Sequence, residues 1–195
     1  MTYYMLEFQY PPKGFISGGA TFEPELDTYY DPFQTEVASD TIAEVILDSS
    51  VRNMNVDLFY TGTRALVVSD AFKRLLEEWN VTAQFVPTHV QYYNHVPVQA
   101  TYWIVHRLQE LDSVDYQQSD YAGKPLVLRS IATPPRRVAK GFQQIVLDES
   151  KIGANEFFTL AYTYTANPII SEALYQESKQ RKLKLHATPV GEFKP

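Results

Sequence analysis

Carboxylates supply most of the chemistry this chain could perform. Glu110, Asp112, Asp115 and Asp120 fall in one polar stretch between residues 110 and 124. Carboxylates held close together can bind a divalent cation or split their pKa values for acid–base work. Downstream, Glu149-Ser150-Lys151 has the Glu-x-Lys form found after a strand in metal-dependent nucleases. Together these residues define one functional reading, a metal-dependent hydrolase or nuclease built on Asp112, Asp115, Glu149 and Lys151. The competing reading is plainer: loop acids are solvated, or they cap turns by bonding nearby backbone amides. The four histidines, 89, 95, 106 and 186, show no close ligand spacing beyond the six residues between the first two. No HExxH, GxSxG, GxxxxGK[ST] or GxGxxG pattern is present, so the zincin, hydrolase, P-loop and dinucleotide signatures are all missing. Arg136, Arg137 and Lys140 follow a Pro-Pro pair and read as a solvated turn or as a site facing an anion. Asn80-Val81-Thr82 has the form of a glycosylation sequon, which means nothing without secretion.

Tyrosine is the other conspicuous residue type, with 14 copies. Several stand beside acids outside any periodic pattern, and tyrosine in loops offers a rigid apolar ring with a polar tip, a combination favoured at protein interfaces. Asp112, Asp115, Tyr116, Asp120 and Tyr121 are therefore the first candidates for contact with a protein partner. Asp27, Tyr29 and Tyr30, in the stretch from Asp27 to Phe33, come second. Their acids would steer a basic partner and their rings would anchor it.

The elements that must hold these residues follow from length and pattern. At 195 residues the chain reads as a single domain, 1–195, within the usual range of roughly 100–200. A net charge of −6 disfavours nucleic acid and anionic membranes as partners. The absence of cysteine removes disulfides, thiolate nucleophiles and thiolate-bound metals. No cationic segment leads into an apolar run at the start, and no stretch approaches the ~20 apolar residues of a membrane span. The expectation is a cytoplasmic protein in which no motif calls for a cofactor or metal. Ser69 caps an expected helix over 69–79, whose Phe72, Leu75, Leu76 and Trp79 form one apolar face. A second helix is expected from about Ile169 or Ser171 to Arg181, following Pro168. Strands are expected near 2–8, 41–47, 57–60, 65–68, 81–86, 99–108, 126–131, 143–147, 157–164 and 184–187, with Pro87 ending one of them. The fold class is α+β, mainly antiparallel sheet with two principal helices. Overlaid at an offset of 102, Val67-Val68-Ser69-Asp70-Ala71-Phe72 lies over Ile169-Ile170-Ser171-Glu172-Ala173-Leu174, Val81 over Leu183, and Pro87 over Pro189. That overlay suggests two similar sub-lobes.

The segments LVVSDAFKRLLEE, FVPTHV, TYWIVHRLQELDSVDYQQS, IVLDES, EFFTLAYTYTANPIISEAL and LHATPV, in this order from about Leu66 to Phe193, resemble the immunity proteins of bacterial polymorphic-toxin systems, in the families numbered eleven and forty-three. The stretch Leu111-Asp112-Ser113-Val114-Asp115, with Ser119 following, is its most family-like part. Residues 1–60 lie outside the resemblance, which takes in 61–195. What the resemblance implies is a non-catalytic inhibitor, made in the cytoplasm, that binds and neutralises the effector domain of a cognate toxin.

Overall fold

In a computed structural model of the chain, residues 2–7, 18–33, 35–133 and 135–194 are described. They divide into two compact units, each with its own apolar core. Both units combine sheet with helix, the α+β class, and most strand pairs are antiparallel.

Residues 8–108 and 178–185 make one unit. Its strands are β2 (Ala20–Glu23), β3 (Ile42–Ile46), β4 (Leu58–Tyr60), β5 (Leu66–Ser69), β6 (Gln84–Gln91) and β7 (Tyr102–His106), in the sheet order β2-β3-β6-β7-β5-β4. Only β3 and β6 run parallel. Between β5 and β6 lies α1 (Asp70–Glu78), capped by the Ser69 hydroxyl, which accepts from the Phe72 amide at 3.2 Å. Phe72, Leu75 and Leu76 are buried completely; Trp79, expected on the same face, is only half-buried because it sits at the C-cap, where the chain turns away. Pro87 does not end β6. It stands inside the strand, and pairing with β3 begins one residue later, at Thr88, so its missing N–H is not required on that side. The Thr88 hydroxyl then accepts from the Ile104 amide and donates to the Val86 carbonyl.

The other unit comprises 1–7, 109–177 and 186–195. Its main sheet has the order β13-β1-β12-β11-β8, with β1 (Tyr3–Leu6), β8 (Glu110–Leu111), β11 (Phe157–Leu160), β12 (Ile169–Ser171) and β13 (Ala187–Pro189). A two-stranded ribbon joins β9 (Asp120–Ala122) to β10 (Lys140–Gln144), and α2 (Lys124–Ala132) lies between them in the chain. The run from Leu126 to Ile131, expected as a strand, is part of this helix. A short apolar run cannot be told from a helix by periodicity alone; here Pro125 sits in the first turn, where its fixed φ suits a helix entrance, and Val127 and Ser130 share the buried face.

Helix α3 (Glu172–Gln180) follows β12 directly. The same four-stranded arrangement occurs in both units. β4-β5-β7-β6 and β11-β12-β1-β13 are antiparallel at every step, and α1 or α3 connects the second strand to the fourth. The registers agree residue for residue: Val68 pairs with Trp103 as Ile170 does with Tyr4, and Pro87 opposes Trp103 as Pro189 opposes Tyr4. Ser171 accepts from the Leu174 amide at 3.2 Å, as Ser69 does from Phe72. The Asp70 amide donates to the Thr101 carbonyl and the Glu172 amide to that of Thr2. Asn80 and Lys182, each two residues beyond its helix, both take positive φ, 53° and 59°.

Candidate functional site

The family-like stretch is built into the unit that holds β8 and α2. The Asp115 amide donates to the Val146 carbonyl and the Asp148 amide to that of Ser113. Ser119, buried, accepts from the Val146 amide through its hydroxyl. One carboxylate oxygen of Asp115 accepts from the Gln117 and Gln118 amides, both at 3.0 Å, and the other accepts from the Gln118 side-chain amide at 2.7 Å. Asp115 therefore caps its own turn. Lys124 closes the turn from below, donating to the carbonyls of Gln117 and Ser119.

Tyr116 and Tyr121, expected as exposed anchors on a polar loop, are 5% and 4% exposed. Their rings meet edge to face, Tyr121 packs on Phe142, and both belong to the apolar core of this unit. The Tyr121 hydroxyl donates to the Tyr116 carbonyl, and that of Tyr116 to the Ala161 carbonyl. Burial pushes the Tyr116 phenol up to about 12. Both rings are largely covered by the core, and Tyr116 keeps an edge on the groove beside Asp112. Alternation in β9, where Asp120 and Ala122 are exposed around a buried Tyr121, is the signal that could have revealed this.

Asp112 is taken by an arginine. The Arg136 guanidinium grips it with two bonds of 2.5 and 2.6 Å, and lies over the rings of Tyr162 and Tyr116 at 4.0 and 5.0 Å. A groove of about 410 Å³ opens beside this pair, with Asp112, Asp115, Asp148, Arg136 and Lys151 among its lining residues. The Glu149–Lys151 segment forms a single 3₁₀ turn, capped by Asp148. Among the described residues no three His, Asp or Glu side chains converge as a metal site would require, so the gathering of Asp112, Asp115 and Glu149 demanded by the hydrolase reading is not found there.

The second expected group lies in the other unit. Asp27 is exposed and Tyr29 almost fully so, at 99%. Tyr30 turns inward: its ring stacks on Phe22 at 4.9 Å and its hydroxyl lies 3.3 Å from Nδ1 of His106. His106, wholly buried, has its Nε2 3.0 Å from the Thr35 carbonyl. A carbonyl can only accept, so Nε2 carries the proton and Nδ1 accepts from Tyr30. Burial pulls the imidazole pKa below its ordinary value and raises that of the Tyr30 phenol, so the ring is held neutral. Of the eight expected contact residues, Asp27, Tyr29 and Asp120 have exposed side chains free of a described structural bond, while Asp112, Asp115, Tyr116, Tyr121 and Tyr30 hold the fold together.

Comparison with known proteins places the chain in a class of immunity proteins. Residues 18–186 match the model of the immunity protein family Imm11, and the chain belongs to that family. The match reaches well into the first 60 residues, which the sequence resemblance had left out. No curated protein matches the chain. Among the described residues, no helix is long and apolar enough to cross a membrane.

Proposed function

We propose that this chain binds the effector domain of a cognate bacterial toxin and neutralises it stoichiometrically, in the cytoplasm of the cell that makes the toxin or of its kin. Family membership across residues 18–186 carries the reading. The disposition of the carboxylates is consistent with it: Asp112 and Asp115 are engaged in holding structure and not gathered for catalysis. The contact is assigned first to Asp27 and Tyr29 in one unit, with Asp120 in the other as a separate candidate. An exposed ring beside an acid provides an anchor and electrostatic steering toward a basic surface.

The test is co-expression with the toxin encoded beside this chain's gene. Growth should be restored, and the effector domain should co-purify with the chain. Persistent growth arrest at equal expression of both proteins would remove the proposal. Tyr29→Ala should weaken the complex by about 2 kcal/mol if this ring is a hot spot, with thermal stability unchanged because the side chain lies in solvent.

A further inference from the structure

We propose that the outer face of α2, with the basic segment that follows it, docks a part of the toxin that presents carboxylates beside an apolar side chain. Charge is distributed very unevenly along this acidic chain. Residues 121–147 contain Lys124, Arg129, Arg136, Arg137 and Lys140 and no Asp or Glu, whereas the remainder carries 12 basic against 23 acidic residues. Two of the five cations have work within the fold, Lys124 on backbone carbonyls and Arg136 on Asp112. Arg129 and Arg137 are exposed, and no described acid pairs with either.

These two arginines line a groove of about 620 Å³ together with Leu126, Ser130, Thr133 and Pro135. Leu126 is 50% exposed there, one helical turn before Arg129 and so on the same side of α2. Ile131 and Val138 add exposed apolar surface on either side of the Arg136-Arg137 pair in the chain. A guanidinium matches a carboxylate bidentately, and the leucine lining the same groove calls for an apolar neighbour. Other occupants fit less well. A polynucleotide would meet the strongly acidic remainder of the chain and would leave the apolar side chains uncovered. A second copy related by a two-fold axis would set this basic face against its own copy.

This inference rests on the toxin-binding reading, and the experiment separates the two. Affinity for the effector domain encoded beside this gene is measured by calorimetry at low and high salt for the unaltered chain, for the double variants R129E/R137E and R129K/R137K, and for Leu126→Ala. Charge reversal should weaken binding about tenfold or more and flatten its salt dependence, while the lysine variant, which retains the charge but loses the two-pronged bond, should fall between it and the unaltered chain with its salt dependence kept. Leu126→Ala should weaken binding without altering the salt dependence. No binding by the unaltered chain sinks the toxin reading itself. Full affinity in both R129E/R137E and Leu126→Ala sinks only the assignment to α2. Displacement of the effector domain by a dT20 oligonucleotide, lost in R129E/R137E, would show a phosphate-reading face and overturn the carboxylate occupant.

Discussion

Arg136 is held by Asp112 along its edge and by two tyrosine rings at its face. Removing the carboxylate leaves the guanidinium partly buried without its counter-charge, and removing the guanidinium loses the ring contacts as well. Asp112→Asn should cost about 1 kcal/mol, since that carboxylate is partly solvated, and Arg136→Ala about 2 kcal/mol, both read from urea unfolding. Tyr116 and Tyr121 belong to the same kind of experiment. Each replaced by Ala should lose about 3 kcal/mol or more, the cost of emptying an aromatic core site, so any lost toxin binding would follow from lost fold. Tyr116→Phe removes the hydroxyl that bonds to the Ala161 carbonyl and interacts with Arg136, and should cost about 1 kcal/mol, with toxin affinity intact. Composition misled at these positions because their neighbours, Asp115, Gln117, Gln118 and Asp120, are polar. What decides burial is the direction of each side chain in a turn and a three-residue strand, and that depends on Val146 and Phe142, distant in sequence.

Helices α1 and α3 were legible because their starts are written locally: a serine, an acid, then apolar residues at helical spacing. Both caps should prove stabilising. Ser69→Ala and Ser171→Ala should each cost about 1 kcal/mol, and hydrogen exchange should quicken first at the amides of Phe72 and Leu174, which lose their acceptor. Ser69 also donates to an Asp57 carboxylate oxygen at 2.5 Å, so the first replacement should be the larger of the two. Helix α2 carried no such label, only Gly123-Lys124-Pro125 before the short apolar run Leu126-Val127-Leu128, and it lies in the connection between the antiparallel strands β9 and β10. The paired overlay of 67–72 on 169–174 was also readable, yet its extent was not. The third strand of each module comes from a different place in the chain, β7 after α1 in one and β1 far before α3 in the other, so a single offset along the sequence covers only part of the correspondence.

At the scale of the molecule, buried His106 links stability to pH. Its pKa is lowered in the folded chain, so as pH falls through the ordinary 6.5 the unfolded chain takes up a proton that the native state refuses. Stability should therefore decline between about pH 7 and 5, and His106→Gln, which cannot titrate, should flatten that slope when unfolding is followed at pH 5.5 and 7.5. Chain order has a consequence of another kind. β1 precedes the entire unit that holds α1, yet its hydrogen-bonding partners are β12 and β13, with Tyr3 opposite Ser171 and Met5 opposite Thr188. On the ribosome, at about 5–20 residues per second, those partners are made roughly 10–30 s after it. Until then an apolar strand bearing Met5 and Leu6 waits beside a half-built sheet whose central position is empty. That sheet would be complete only when β12 and β13 have both been made, and a ribosome stalled before residue 169 would release it unfinished to the proteases.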